Sequence, residues 1–183
     1  MRIVVCGTHA SGKSTLVADF AARHPRFAVL SDPFELLDEA WDAPGPALFT
    51  AQLRVSAARL HPDETASPLI AERGPIDFLA YLLAWEDLTG TDIPRDRLER
   101  LIEETRDAVA HVDVLVVLPL TPADEIFVHA EEDLPLREAM NDVLLDLVAD
   151  DDVTGGHPDV VEITGDRDRR LAALEAVVAN FAR

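Results

Sequence analysis

The sequence predicts an α/β fold in which a five-stranded parallel sheet is covered by helices on both faces. Five short apolar runs alternate with longer helical patterns, and strands that alternate with helices are joined by right-handed crossovers into a parallel sheet. The fourth run, residues 112–119, is apolar almost without interruption, which is typical of a strand buried on both faces. A chain of 183 residues without repeats or linkers fits one domain, predicted to span residues 1–183.

The boundaries of the predicted elements follow from the apolar runs and from the breakers between them. Pro25 ends the first helix, and the Pro44-Gly45-Pro46 stretch separates two others, because proline fixes φ and removes a backbone donor. The predicted strands comprise residues 2–6, 27–30, 68–71, 112–119 and 159–163. The predicted helices comprise residues 13–24, 34–41, 47–60, 76–88, 94–110, 121–130, 134–149 and 167–182.

The first strand is followed by a loop that matches the phosphate-binding pattern G-x-x-x-x-G-K-[ST] in full. Gly7 and Gly12 let the backbone curl around a phosphate, and the N–H groups at the start of the next helix point at the anion. We expect Lys13, the only lysine of the chain, to reach the β and γ phosphates, and the Ser14 hydroxyl to bind Mg²⁺. The predicted nucleotide-binding residues are Gly7, His9, Ala10, Ser11, Gly12, Lys13, Ser14 and Thr15. The loop therefore predicts ATP and Mg²⁺ as the ligands.

Composition and charge limit the possible partners. The formal net charge is −19 at pH 7, so neither nucleic acid nor an anionic membrane is expected as a partner, because both are bound by basic surfaces. No apolar run has the length of a membrane span, and the chain begins with a strand instead of a leader pattern, so a cytoplasmic location is expected. The nearly apolar helix 76–88 is predicted to be buried in the core or in the face of a possible homodimer.

Polar side chains follow the second and third predicted strands. Asp32 comes after the second strand, and Glu72 and Arg73 come after the third. Ligands of parallel sheets collect beyond the carboxyl ends of the strands, so these side chains are expected to converge on the phosphate loop. Phosphoryl transfer requires positioning, Mg²⁺ and positive charge, and an acceptor hydroxyl favours a nearby carboxylate. The residues alone leave open which carboxylate is the base and which serves Mg²⁺, and whether Arg73 contacts substrate or forms a structural Glu-Arg salt bridge.

These motifs resemble those of the P-loop small-molecule kinases, in particular the deoxynucleoside kinases and the related nicotinamide riboside kinase and thymidylate kinase groups. Deoxynucleoside kinases carry Glu-Pro after the second strand as the base, where this chain has Asp32-Pro33. They carry Glu-Arg-Ser after the third strand, where this chain has Glu72-Arg73-Gly74. The resemblance implies that Glu72 serves the metal together with Ser14, and that Arg73 serves the substrate.

The resemblance extends to the long helix before the third strand. The family places a glutamine there that contacts the base, with an arginine two turns later, and Gln52 and Arg59 have that separation. Asp77 and Tyr81 are also similar to the pattern of proteins resembling the nicotinamide riboside kinases. The implied substrate-binding residues are Asp32, Gln52, Arg59 and Arg73. Aromatic residues that line an acceptor pocket or belong to the core are Phe34, Trp41, Phe49, Tyr81 and Trp85.

Residues 121–149 are predicted to contain a lid. Kinases of the resembled family cover the phosphates with a segment that carries two or three arginines, and this chain offers Arg137 there. The acidic residues 131–133 beside it favour the alternative of a solvated helix start, where acidic side chains suit the helix dipole. The predicted catalytic residues are Lys13, Asp32, Glu72, Arg73 and Arg137.

The combined motifs predict an ATP-dependent kinase that transfers the γ-phosphoryl group to a hydroxyl of a small-molecule acceptor, a nucleoside or a nucleoside-like compound. One alternative is a nucleoside monophosphate kinase, which needs more arginines near the acceptor phosphate than Arg54, Arg59 and Arg73 provide. The other alternative is a regulatory ATPase that binds ATP without a small-molecule acceptor.

Overall fold

The fold is built from five strands and seven helices within the residues that the computed structural model describes, which are 1–36, 45–64, 68–121 and 133–181. The strands are β1 (Arg2–Cys6), β2 (Ala28–Leu30), β3 (Leu69–Glu72), β4 (Val114–Val117) and β5 (Asp159–Glu162). The helices are α1 (Lys13–Arg23), α2 (Pro46–Arg59), α3 (Pro75–Thr89), α4 (Arg95–Val109), α5 (Leu134–Val148), α6 (Asp151–Thr154) and α7 (Arg167–Phe181).

The strands form one parallel sheet in the order β2-β3-β1-β4-β5, which confirms the predicted fold class. The strand β1 lies at the centre, between β3 and β4. The residues that follow β2 and β3 therefore lie on one side of the phosphate loop, and those that follow β4 and β5 lie on the other. This order determines which side chains share each half of the ligand site.

An apolar cluster covers each face of the sheet, and alternate side chains of β1 belong to one cluster and then to the other. Ile3 and Val5 pack with residues of α1 and α7, whereas Val4 and Cys6 pack with residues of the helices on the opposite face. Successive side chains of a strand point to opposite faces, so a strand covered on both sides is predominantly apolar. The two clusters explain why β4 and the part of β1 that follows Arg2 are continuous apolar runs.

The nearly apolar helix α3 is buried within the monomer. Residues 75–82 are all buried, and the helix packs against α2 and α5. Its composition is therefore explained by the core of this chain, and the homodimer stays a prediction. None of the described helices is long and apolar enough to cross a membrane.

Three parts of the chain differ from the sequence predictions or fall outside the described residues. The segment predicted as a helix from residue 34 begins as a short 3-10 turn, Pro33–Leu36, whose start is capped because Asp32 Oδ1 accepts a hydrogen bond from Phe34 N (3.0 Å). The short helix α6 was not predicted, since its acidic sequence resembles a loop; Asp150 caps it and Gly155 ends it in the left-handed region. The predicted helix 121–130 lies almost wholly in residues 122–132, outside the described residues.

Candidate active site

The phosphate loop, which runs from Gly7 to Gly12, contains three residues with positive φ. Gly7 (+151°) and Gly12 (+89°) adopt this conformation readily, and Ala10 (+50°) is one of the few non-glycine residues of the described chain that does so. A Cβ on Gly7 would lie 2.7 Å from Ser11 Oγ and 3.0 Å from the carbonyl oxygen of Leu118. The curvature of the loop therefore requires glycine at its first position.

Basic side chains hold the carbonyl oxygens of the phosphate loop. The hydrogen bonds run from Arg73 Nη1 to Gly7 O (3.2 Å), Lys13 Nζ to Thr8 O, Arg137 Nε to His9 O (3.1 Å), Arg137 Nη2 to Ala10 O (3.3 Å) and Arg170 Nη1 to Ser11 O (2.6 Å). In a trans peptide the C=O and the following N–H point in opposite directions, so a carbonyl held by a cation leaves the next amide free to face an anion. The amide of His9, which follows the Thr8 carbonyl, is the exception, because it donates to the Tyr81 hydroxyl. The four basic side chains also create a positive region in an otherwise acidic protein.

The ammonium group of Lys13 is buried within this loop. Burial, and secondly the charge of Arg73, lower the pKa of Lys13 to about 7, although the carboxylates of Asp77, Glu72 and Asp32 oppose the shift. A phosphate group next to the ammonium would supply the missing counter-charge and favour the protonated form. Lys13 is therefore suited to bind the anionic part of a nucleotide.

Ser14 and Glu72 place two oxygen ligands beside the phosphate loop. The Ser14 hydroxyl donates to Glu72 Oε1 over 2.6 Å, and Glu72 ends β3 in register with Val5 of β1. Mg²⁺ prefers oxygen ligands and takes few of them from a protein, completing its shell with phosphate oxygens and water. This hydroxyl and carboxylate fit that requirement. Among the described residues, no group of three or more His, Cys, Asp and Glu side chains is arranged to hold a metal ion.

An ion pair joins Arg73 to Asp32 at the ends of β3 and β2. Arg73 Nε donates to Asp32 Oδ2 over 2.7 Å, so the arginine pairs with Asp32 and does not form the alternative salt bridge with its neighbour Glu72. Burial alone would lower the pKa of Arg73, but Tyr81, Asp32 and Asp77 outweigh this effect and raise it above the ordinary value. The backbone of Arg73 is strained, with φ of +68°. The hydrogen bonds to Asp32 and to the carbonyl oxygen of Gly7 hold the guanidinium between the two.

Asp77, which was not predicted as a site residue, connects the phosphate loop to the start of α3. Its Oδ1 accepts from Gly7 N and its Oδ2 accepts from Gly74 N, both over 2.8 Å, and the side chain is fully buried. Burial raises the pKa of Asp77, while Arg73 and the two backbone donors act in the opposite direction. The position three residues after a helix N-cap is the signal in the sequence for one of these bonds, because acidic side chains there cap the helix.

Gly74 replaces the serine of the resembled Glu-Arg-Ser motif for a steric reason. A Cβ at this position would lie 2.8 Å from Cγ1 of Val4, a fully buried side chain of the central strand. The close approach of α3 to β1 thus depends on the missing side chain.

A cavity of about 600 Å³ opens beside the phosphate loop and combines a polar end with an apolar wall. The polar end consists of His9, Ser14, Asp32, Glu72 and Arg73. The apolar wall consists of Phe34, Leu48, Phe49, Phe78, Tyr81 and Leu136. Gln52 and Asp133 complete the lining. The size and the mixed lining are typical of a small-molecule site.

The predicted aromatic residues divide between this cavity and the core. Phe49 stacks on Tyr81 with ring centroids 5.1 Å apart, and Trp85 packs edge-on against Phe49. Gln52 lies on the same helix as Phe49, and its exposed fraction is 4%. A buried amide in a cavity wall requires a polar partner, which suits contact with a ligand. Trp41 lies outside the described residues.

Tyr81 connects the phosphate loop with the cavity wall. Its hydroxyl accepts a hydrogen bond from His9 N (2.9 Å) and lies 3.0 Å from His9 Nδ1. The Arg73 guanidinium lies 5.5 Å from the centre of the Tyr81 ring, within the range of a cation–π contact. Tyr81 therefore contacts both the phosphate loop and the cavity.

The remaining predicted residues lie around this centre. Arg59 donates from Nη1 to the carbonyl oxygen of Ser31 (2.8 Å), one residue before Asp32, and its role in substrate binding stays a prediction. Thr15 is exposed on the first turn of α1. Arg137 lies on α5 and holds the loop carbonyls, so its role as a lid arginine also stays a prediction, and residues 122–132 of the predicted lid are outside the described chain.

Solved structures match this chain over nearly its full length, although no family model and no curated protein matches it by sequence. A deoxyadenosine kinase from M. mycoides with bound dATP has a TM-score of 0.69 at 14% identity, covering 98% of this chain and 100% of that one. A thymidylate kinase from Candida albicans has a TM-score of 0.70 at 14% identity, covering 99% and 92%. The fold is that of the P-loop kinases.

A third P-loop kinase structure extends the comparison. NadR in complex with NR has a TM-score of 0.63 at 19% identity, and the match covers 96% of this chain but 50% of NadR. At these identities the likeness concerns the P-loop kinase fold alone. The phosphate loop and the side chains after β2 and β3 therefore have to carry the argument for function.

Proposed function

We propose that this protein is an ATP-dependent kinase that phosphorylates a hydroxyl of a nucleoside or a nucleoside-like acceptor. One observation carries the proposal. The cavity beside the phosphate loop contains both the Ser14–Glu72 pair, suited to the donor's metal ion, and the Asp32 carboxylate held by Arg73. The residues proposed for the donor and for the acceptor thus line one cavity, as in-line phosphoryl transfer requires.

On the donor side, the phosphate loop would bind the triphosphate of ATP. The backbone amides and Lys13 would contact its oxygens, and Ser14 and Glu72 would hold Mg²⁺. When bound, Mg²⁺ neutralises charge on the β and γ phosphates. The positive charge of Lys13 and Arg73 next to the loop would stabilise the charge on the transferred group.

On the acceptor side, we assign the base to Asp32 and the metal-binding role to Glu72. Both carboxylates line the cavity, but Glu72 Oε1 already lies 2.6 Å from the Ser14 hydroxyl, whereas Asp32 is bonded to Arg73. In the proposed step, the acceptor oxygen forms a bond to the γ-phosphorus while the bond from that phosphorus to the β–γ bridging oxygen of ATP breaks. The proton of the acceptor hydroxyl passes to Asp32, and ADP leaves.

The charges of the cavity favour an acceptor without a phosphate group. Asp32, Glu72 and Asp133 contribute carboxylates, and the positive charge of Arg73 is already paired with Asp32. The other two arginines considered for an acceptor phosphate are engaged elsewhere. Arg54 pairs with Glu104, and Arg59 donates to a backbone carbonyl. An aromatic wall and the buried Gln52 amide suit a base and its sugar, which favours a nucleoside over a nucleoside monophosphate.

A panel of acceptors tests the proposal. ADP release from Mg·ATP would be measured with nucleosides, nucleoside monophosphates and simple sugars, and the product would be identified by mass spectrometry. A nucleoside-dependent release with formation of the monophosphate is expected. ADP release that no acceptor stimulates would contradict the kinase and support the ATPase alternative, and a preference for monophosphates would support the nucleoside monophosphate kinase.

The variant Asp32→Asn distinguishes the base from a merely acidic pocket. It should lower kcat by about 10² to 10⁴-fold, as removal of a general base does, with little change in the affinity for Mg·ATP. Asp63→Asn is the matched control, because Asp63 is 89% exposed and remote from the cavity. Equal turnover of the two variants would exclude Asp32 as the base.

A further inference from the structure

Arg170 is a buried arginine on α7, and no sequence motif pointed to it. Its exposed fraction is 6%, and it donates from Nη1 to the carbonyl oxygen of Ser11 (2.6 Å) and from Nε to that of Gly165 (2.7 Å). Ser11 belongs to the phosphate loop, and Gly165 belongs to the turn after β5. One guanidinium therefore joins two loops that are far apart in sequence.

The neighbouring arginines of α7 behave differently. Arg167 is 68% exposed and pairs with Asp19, and Arg169 is 80% exposed and pairs with Asp166. Arg170 instead directs its charge at main-chain carbonyls in the interior. Burying a guanidinium is unfavourable in itself, so this placement needs a compensating interaction, and charge-assisted hydrogen bonds to the loop provide one.

The bond to Ser11 fixes the orientation of a peptide at the anion site. Because Arg170 holds the Ser11 carbonyl, the N–H of Gly12 in the same peptide must point the opposite way. Gly12 is the left-handed N-cap of α1, so this N–H lies at the helix terminus that receives the phosphate. Because this amide is already oriented before the ligand binds, less conformational entropy is lost on binding.

The bond to Gly165 anchors the guanidinium on the side of the sheet away from the acceptor residues. Gly165 has φ of +103°, and a Cβ there would lie 3.3 Å from Cβ and Cδ of Arg169, so the turn is closely packed. In the strand order, β5 lies two strands from β1 on the side opposite to β3 and β2. Arg170 is thus placed to act on the donor half of the site.

We propose that Arg170 is a positioning residue for the phosphate donor, acting through the Ser11–Gly12 peptide. The inference rests on the proposed function only in that the phosphate loop binds a nucleoside triphosphate. It predicts that loss of the guanidinium weakens binding of the triphosphate group and leaves acceptor binding unchanged.

Calorimetry with two ligands tests this inference. The variants Arg170→Gln and Arg170→Lys would be titrated with a non-hydrolysable Mg·ATP analogue and with inorganic tripolyphosphate. Arg170→Gln should weaken both by about tenfold, the value of a hydrogen bond to a charged group. Arg170→Lys should restore part of the affinity, because one ammonium cannot bond both carbonyls. The matched control Arg169→Gln should stay within about twofold of the unchanged protein.

Several outcomes separate positioning from a structural role and from the kinase proposal. Unchanged affinity for both ligands in a folded Arg170→Gln protein, whatever its melting temperature, would overturn the inference. If Arg170→Gln does not fold, Arg170→Lys decides: weaker binding supports the inference, and unchanged binding overturns it. If the variants bind triphosphate more weakly but the protein phosphorylates no acceptor, the role of Arg170 is supported and the kinase proposal is rejected. If the protein phosphorylates a nucleoside but the variants bind the donor with unchanged affinity, the kinase proposal is supported and the role of Arg170 is rejected.

Discussion

Asp32 and Arg73 form an ion pair of 2.7 Å that joins the carboxyl ends of β2 and β3 in front of the phosphate loop. The same guanidinium donates to the carbonyl oxygen of Gly7 over 3.2 Å. Arg73 thus contacts the proposed base and the first residue of the loop at once. We therefore expect the relative position of the proposed donor and acceptor to depend on this side chain.

Substitution Arg73→Lys should therefore impair catalysis although it conserves the charge. A single ammonium cannot donate to Asp32 and to Gly7 in the planar geometry of a guanidinium. We expect kcat to fall by about a hundredfold, while the affinity for Mg·ATP falls less, as steady-state kinetics and calorimetry would measure. The control is Arg54→Lys, which alters an exposed arginine–glutamate pair outside the cavity. Comparable kcat values for the two variants would contradict the assigned role.

Nucleotide binding should be coupled to proton uptake by Lys13. Its pKa in the ligand-free protein is lowered to about 7, chiefly by burial, so above pH 7 the amine is largely neutral. A bound triphosphate favours the ammonium form and raises this pKa, so the complex takes up a proton and affinity falls as pH rises. Calorimetry at pH 8 in buffers with different ionisation enthalpies would measure the uptake. Identical binding enthalpies in all buffers would show that no proton is taken up.

The same shift gives a stability prediction with a definite sign. The pKa of Lys13 is about 7 in the folded state and 10.5 in the reference state, so between these values the unfolded chain binds more protons. Stability then rises with pH in this window, and the cost of the buried charge is fully present below pH 7. Urea unfolding of the ligand-free protein from pH 6 to 10 should show that Lys13→Met removes this part of the pH dependence.

Substitution Asp77→Asn should destabilise the fold. The carboxylate accepts hydrogen bonds from Gly7 N and Gly74 N, and an amide would place an N–H₂ group against one of these donors. We expect a loss of about 1–3 kcal/mol in the free energy of unfolding, measured by urea denaturation. Asp87→Asn on the exposed end of α3 is the control and should change stability by less than about 0.5 kcal/mol. A stable Asp77→Asn protein would show that the two bonds contribute little.

Substitution Gln52→Leu should affect the acceptor without affecting the donor. The amide is 4% exposed in the cavity wall, and leucine fills a similar volume without a polar group. If Gln52 contacts the base, kcat/KM for the nucleoside should fall by about ten- to a hundredfold while KM for ATP is unchanged. An unchanged order of preference across the nucleoside panel would indicate that Gln52 is a packing residue.

The fold and the phosphate loop could be predicted from the sequence because their signals are local. A strand buried on both faces must be apolar at each position, and Gly7, Gly12 and Lys13 are required by geometry within a few residues. The convergence of Asp32, Glu72 and Arg73 also followed, since the carboxyl ends of parallel strands share one edge. The unpredicted 3-10 turn at Pro33 depends on a cap from Asp32, a short-range contact that helical periodicity does not reveal.

The bonds of Arg137, Arg170 and Asp77 to the phosphate loop could not be predicted, because they join residues far apart in the chain. Arg137 and Arg170 bond residues 9–11 across 127 to 159 positions. Arg137 was predicted as a lid arginine and not as a partner of the loop carbonyls, and the sequence around Arg170 is that of an ordinary helix. Asp77 is similar, since its N-capping position is visible in the sequence while its bond to Gly7 is not. Such pairs depend on how helices dock onto the sheet, which local patterns do not determine.

The bond between Arg170 and Ser11 has a consequence for the order of folding. Contacts between residues 159 positions apart require a larger loss of chain entropy than local contacts, so we expect this bond to form late, after α7 has packed onto the sheet. We therefore expect the anion-binding loop to be incomplete in the folding transition state. Added nucleotide should therefore leave the refolding rate unchanged and lower the unfolding rate of the native protein.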